Sequence, residues 1–177
     1  NVTWAKYTPL NGQRLAGSGQ CGMNLNCCSA NGPRGLFVMP QIAVMKSSDG
    51  IVLNHFVDGY YGLKTPSGQR VNITQATDYP ASGNIDIRFE AKTPEEYVAI
   101  IRIPEWSKQT KLFINGEPQQ NIIAGSYLRI KRKWGLNDRI QIQFDMRGRL
   151  LMRGDKQRFF AIMSGPLVLS RDTRFKG

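Results

Sequence analysis

The sequence predicts an all-β protein, an antiparallel β-sandwich or jelly roll preceded by an irregular or partly helical N-terminal arm. Three observations carry this. Short runs of β-branched and aromatic residues recur about every 8–15 residues from position 41 onward. Two of those runs alternate apolar and polar residues without a break, and no apolar stripe of helical period lies between them. The first 40 residues differ: they are rich in glycine, show no strand pattern, and only 27–39 has the composition of a helix, with Pro33 expected near its first turn. The domain reading is therefore an arm over 1–40 and a sandwich over 41–177.

Taken in order, the strands are expected at 41–46, 51–57, 69–75, 84–90, 97–103, 111–114, 127–131, 139–144 and 158–169. Asn84-Ile85-Asp86-Ile87-Arg88-Phe89-Glu90 and Arg139-Ile140-Gln141-Ile142-Gln143-Phe144-Asp145 alternate cleanly, so each should turn one face to water and one to a core. Turn residues separate the runs: Asp49-Gly50, Ser67-Gly68, Ser82-Gly83, Asn115-Gly116, Gly135 with Asn137-Asp138, and Gly148. Asn115-Gly116 is the sharpest, because both residues tolerate the positive φ that a two-residue type I′ hairpin requires.

Composition excludes several classes. With 41% hydrophobic and 21% charged residues the chain falls in the ordinary globular range, outside disordered, collagenous and coiled-coil sequences. No stretch approaches the ~18 apolar residues of a membrane span. The chain opens at Asn1 without a charged and then apolar leader, which reads as a piece cut from something longer.

The net charge of +11 is concentrated near the C-terminus, since residues 129–176 carry 13 basic and 4 acidic side chains and the first 128 carry 11 and 9. Nucleic-acid binding would want that charge on one face with aromatics interleaved. The only candidate run, Lys131-Arg132-Lys133-Trp134, continues an alternation with Leu128 and Ile130 that fits a solvated strand face instead, so no nucleic-acid partner is expected. A partner region that once covered basic surface is the alternative source of the imbalance.

The three cysteines, Cys21, Cys27 and Cys28, lie within eight residues of one another. Neighbouring cysteines sit too close along the chain to bridge readily, so they do not form a disulfide framework. Alone, they read either as part of a metal site or as small buried hydrophobes. The single histidine, His55, falls in a strand pattern and reads as a surface or edge side chain rather than a ligand.

Asn24-Leu25-Asn26-Cys27-Cys28-Ser29-Ala30-Asn31-Gly32-Pro33-Arg34-Gly35-Leu36 resembles the Cys-Cys-x-x-Asn-x-x-Arg segment of the β-L-arabinofuranosidases of glycoside hydrolase family 127 and its relatives. The likeness continues in order. Asp49-Gly50-Ile51-Val52-Leu53-Asn54 is similar to the family's first sandwich hairpin. Arg102-Ile103-Pro104-Glu105-Trp106 with Ile114-Asn115-Gly116 resembles its Arg-Ile-Pro-x-Trp and Val-Asn-Gly pair. Tyr127 with Arg132, Trp134 and Asp138 resembles its Tyr … Arg-x-Trp-x-x-x-Asp stretch, and Ala161 through Gly165-Pro166-Leu167-Val168 its Ala-x-x-x-Gly-Pro-Leu-Val strand.

Such enzymes pair a large (α/α)6 barrel with β-sandwich domains, so the resemblance implies that 1–40 is the end of a catalytic barrel whose remainder is missing. It implies that Cys27 is the nucleophile attacking the anomeric carbon, that Cys28, with Cys27, is a zinc ligand, and that Asn31 and Arg34 either position substrate or tie down the loop. The remaining zinc ligands and the general acid/base glutamate would come from the barrel. Zinc is thus expected in the full-length parent and not in this chain alone, which is expected to be inactive by itself. The role of Cys21 is not assigned.

The implied partners are an arabinose-containing glycan, met through the parent enzyme, and the missing barrel; an uncovered barrel-facing patch would favour a homodimer. The implied location is extracytoplasmic, periplasmic or secreted. A non-catalytic sandwich for carbohydrate binding or domain contact is the competing reading. Trp106, Trp134, Tyr60 and Tyr61 would then be sugar platforms, whereas as structural residues the two tryptophans would plug the sandwich ends.

Overall fold

The computed structural model describes residues 27–152 and 160–170, with side chains from Pro33 onward. Helix α1 spans Cys27–Ala43 and contains both Pro33 and Pro40. It is longer than the sequence suggests, and Pro33 lies in its second turn rather than its first. Proline has no N–H to donate, so Pro40 leaves the Leu36 carbonyl without its helical partner. Leu36, Phe37 and Val38 are exposed. The helix ends on long-range bonds, because the carbonyl of buried Ala43 accepts both Asn54 N (2.8 Å) and His55 N (3.1 Å). The chain divides into two units between Gln41 and Ile42.

A four-stranded sheet takes the order β1 (Val44–Lys46), β2 (Gly50–Leu53), β6 (Glu95–Ile103), β9 (Ser126–Trp134). A six-stranded sheet takes the order β3 (Gly59–Lys64), β4 (Arg70–Thr77), β5 (Asn84–Ala91), β10 (Arg139–Gln143), β7 (Lys111–Ile114), β8 (Glu117–Pro118). The pairings are antiparallel except β2 with β6, which run parallel. The expected all-β fold is thus observed, with one parallel pair that no local pattern announces.

The alternation read in 84–90 and 139–145 has the expected consequence. Ile85, Ile87 and Phe89 of β5 and Ile140 and Ile142 of β10 point inward, each nearly or wholly buried. Register aligns them in rows: Ile87, Ile140 and Ile114 form one, and Ile85, Ile142 and Leu112 the next. Ile51, Leu53, Tyr97, Ala99, Ile101 and Ile103 face them from the four-stranded sheet and complete one apolar core. At about 1.5–3 kcal/mol for each large side chain buried, this layer is the main source of cohesion. The Asn115-Gly116 turn has the predicted positive φ values, 52° and 88°, and joins β7 to β8 with Ile114 opposite Glu117.

A third sheet stands apart: β11 (Gly148–Met152), β12 (Phe160–Ser164) and β13 (Leu167–Leu169). Register places Leu150, Met152, Phe160, Ile162, Leu167 and Leu169 on one face, and all six are exposed. The run expected as one strand over 158–169 is therefore broken by a turn at Gly165. The glycine has φ 52°, a conformation that L side chains rarely adopt, so a substitution there is strained; a Cβ would also press on the movable end of Met146 at 2.5 Å.

Candidate functional site

All four residues that the sequence singles out, Cys27, Cys28, Asn31 and Arg34, fall on α1. Spacings of four and three place Cys27, Asn31 and Arg34 along one line of the helix backbone, with Cys28 about 100° around. Arg34 is exposed. Cys21 and residues 1–26 lie outside the described residues. Among the described residues there is no group of three or more His, Cys, Asp or Glu side chains able to hold a metal ion. Two adjacent thiols supply at most half of the four ligands zinc ordinarily takes, so these residues do not by themselves make up a zinc site.

The remaining family-like positions converge on structural roles. Asp138 is buried and accepts from three directions: Asn115 Nδ2 (2.6 Å) and Arg132 Nη2 (3.2 Å) on Oδ1, and Gly135 N (2.7 Å) on Oδ2. Asn115 Oδ1 in turn accepts Arg139 N at 2.8 Å, tying the β7–β8 turn to β10. Trp134 is wholly buried, stacked on Phe89 with ring centroids 4.7 Å apart, and donates from Nε1 to the Tyr97 carbonyl at 3.1 Å. The Arg132 guanidinium covers its outer side, 5.0 Å from the ring centre. Trp134 thus cannot present a face to a sugar. Tyr61 is half-buried and donates to the Val57 carbonyl at 2.8 Å, whereas Tyr60 is exposed.

Trp106 is different. Its ring meets Phe144 edge-on at 5.6 Å, and its other side lines an open cleft of about 250 Å³ with Lys108, Asp145, Arg147, Gly148 and Arg149. The sequence reading named Trp106 but missed these companions; the only local trace of them is the charged alternation Asp145-x-Arg147-x-Arg149. A larger open cavity of about 620 Å³ lies beside Asp58, Thr77, Asp78, Ser82 and Asn84, but much of its polar lining is spent on the loop itself. Asp58 Oδ1 accepts Thr77 N, Thr77 Oγ1 bonds the Asn84 carbonyl, and Ser82 Oγ accepts Asn84 N.

The basic run lies on edge strand β9, as its alternation suggests. Arg129 pairs with Asp49, Lys131 with Glu96 at 3.1 Å, and Arg132 with Asp138. Charged side chains along an edge also discourage pairing with another sheet.

His55 lies in a bend after β2, not inside a strand, because β2 ends at Leu53 where Asn54 and His55 turn to bond Ala43. Partial burial, aided by the nearby Arg102 cation, lowers its pKa below the usual 6.5. The unfolded chain then binds more protons than the folded one in that range, so stability falls as pH drops below about 6.5. Asp49, Glu95 and Asp145 also have lowered pKa values, but they titrate below their ordinary 3.8 to 4.5. The urea midpoint should therefore decline between about pH 7 and 5, and His55→Gln should flatten that decline. An unchanged slope in the variant would assign the effect elsewhere.

Comparison with known proteins places this architecture. The model of the β-L-arabinofuranosidase GH127 middle domain matches residues 50–146. Among solved structures, Ara127N-Se, a GH127 β-L-arabinofuranosidase from Geobacillus stearothermophilus T6, superposes with a TM-score of 0.75 at 24% identity, covering 82% of this chain and 24% of that one. A structure described as a glycoside hydrolase gives 0.73 at 26% identity, covering 84% and 25% of the two chains. The GH127 β-arabinofuranosidase BT3674 gives 0.73 at 22%, covering 82% and 26%. No curated protein matches the chain. The chain thus spans about a quarter of the length of these solved structures. Since the domain model covers more than half of its 177 residues, from the parallel β2–β6 pair through the Asp138 network to the end of β10, the chain belongs to the GH127 β-L-arabinofuranosidase family.

Proposed function

We propose that this chain is the last part of the catalytic region, together with the following β-sandwich, of a cysteine-dependent glycoside hydrolase that cleaves β-L-arabinofuranosides. The observation that carries the reading is the junction: α1, bearing Cys27, Cys28, Asn31 and Arg34, runs without a break into the sandwich matched by the GH127 middle-domain model. In this reading Cys27 attacks the anomeric carbon, Cys28 helps to hold zinc with donors from outside the described residues, and Asn31 and Arg34 orient the sugar. Zinc, when bound, would keep thiol sulfur deprotonated, which a free thiol of pKa ~8.5 is not at neutral pH. The leaving oxygen needs a proton donor opposite the nucleophile. The resemblance assigns that donor to the rest of the parent, and no motif places a carboxylate of the sandwich in that role.

The same reading gives the chain no turnover of its own and the parent an extracytoplasmic location. It also gives the exposed apolar face of β11–β13 a cover in another part of the parent, a homodimer being the alternative. The test is hydrolysis of p-nitrophenyl β-L-arabinofuranoside, with zinc measured by elemental analysis. The full-length protein should turn over, its Cys27→Ala variant should not, and the 177-residue chain should neither turn over nor carry stoichiometric zinc. Undiminished turnover in Cys27→Ala would overturn the assignment.

A further inference from the structure

We propose that the cleft beside Trp106 binds the carboxylate of an acidic sugar, a hexuronate residue of a glycan. Three cations, Lys108, Arg147 and Arg149, line it against one carboxylate, Asp145. Asp145 is already committed: both its oxygens receive the Arg147 guanidinium, through Nε and Nη2, at 2.8 Å. That fork fixes Arg147 in place, because the Asp145 side chain is only 10% exposed while Arg147 remains 66% exposed. Arg149 donates from Nη1 to the Gly165 carbonyl at 2.6 Å and lies 5.9 Å from the centre of the Trp106 ring. Lys108 is exposed and forms no ion pair among the described residues. Once Asp145 is neutralised by one partner, two positive charges remain over a cleft with an aromatic wall.

The walls are preorganised. Ser107 N donates to the Pro104 carbonyl, Ser107 Oγ meets Thr110 Oγ1 at 2.6 Å, and the same Oγ accepts Asp145 N at 2.8 Å. The turn bearing Trp106 and Lys108 is thereby fastened to the end of β10, so little side-chain and loop ordering is left for a ligand to impose. Gly148 contributes no side chain, and a Cβ there would find only the Met163 carbonyl, at 4.0 Å. A cleft of about 250 Å³ suits a single ring rather than a long oligomer. The aromatic wall matches the C–H face of a sugar and the uncompensated cations match one carboxylate; a neutral sugar would leave those cations unpaired.

Titration calorimetry of the 177-residue protein with trigalacturonate, and with its methyl ester as the uncharged control, tests the proposal. The acid should bind and the ester should bind at least about tenfold more weakly. Lys108→Ala should weaken acid binding about tenfold with an unchanged thermal midpoint, and Lys108→Arg, which keeps the charge, should retain most of the affinity. The double substitution Lys131→Ala, Lys133→Ala on the distant edge strand should leave binding intact. Equal affinity for acid and ester, full displacement by an equal concentration of inorganic sulfate, or an equal loss in the edge-strand variant would each overturn it, the last by assigning binding to diffuse positive charge.

Discussion

Trp134→Ala lowers the stability of the sandwich by about 4 kcal/mol, read as a fall in the urea midpoint at unchanged slope. The indole is wholly buried at the end of β9, and three neighbours depend on it. Phe89 stacks on it at 4.7 Å, Tyr97 at 6.3 Å, and Arg132 lies over it at 5.0 Å. Truncation opens a cavity between the two main sheets and removes the Nε1 bond that satisfies the Tyr97 carbonyl. The cavity cannot collapse easily, because Phe89 and Tyr97 belong to central strands held on both sides. Trp134→Phe keeps an aromatic ring but not the donor, and should recover roughly half of the loss. If both variants unfolded at the wild-type midpoint, the end of the core would have to close by some other contact.

The elements most legible in the sequence are those whose environment is set locally. Strands β5 and β10 alternate because each is covered on one face only, and their observed bounds, Asn84–Ala91 and Arg139–Gln143, differ by a single residue at one end from the expected ranges. Asn115-Gly116 makes its turn by backbone conformation alone. Strand β3 was missed because Gly59 and Gly62 dilute its pattern, and it forms an edge where only Tyr61 and Leu63 pack against the core. β11 was missed for the opposite reason: Leu150, Leu151 and Met152 run together without alternation, since neither face of that sheet is buried at these positions. The end of α1 was beyond local reading altogether. The carbonyl of its last residue, Ala43, is satisfied by two amides beyond β2, partners that no local pattern names.

The site was legible to a different degree. The cysteine pair with Asn31 and Arg34 is picked out only by its resemblance to the family's contiguous Cys-Cys-x-x-Asn-x-x-Arg segment; spacing alone leaves the cysteines open between a partial metal site and small buried hydrophobes. The Trp106 cleft assembles residues some forty positions apart, joined only when β10 brings Asp145 against Ser107, so sequence spacing carries no trace of the whole. The residues most conspicuous in the resemblance, Asn115, Arg132, Trp134 and Asp138, hold the sandwich together instead of forming a reactive centre.

Asp138→Ala should cost about 3 kcal/mol, nearly as much as losing the tryptophan, although it removes only a few atoms. The carboxylate gathers the Gly135 amide, the Asn115 amide and the Arg132 guanidinium into one buried point between β9, β10 and the β7–β8 turn. Without it, the Gly135 N–H loses its partner, Arg132 loses its ion pair, and Asn115, held at positive φ, loses one of the two bonds that fix its side-chain orientation. Asp138→Asn retains an acceptor but gives up the charge, and its amide donors would face the donors of Asn115 and Arg132; a loss of about 1–2 kcal/mol is expected. A double-mutant cycle with Asn115→Ala separates network from packing. A coupling of about 1–2 kcal/mol is expected because the two side chains meet at 2.6 Å, while simple additivity would mean that Asp138 acts through Gly135 and Arg132 alone.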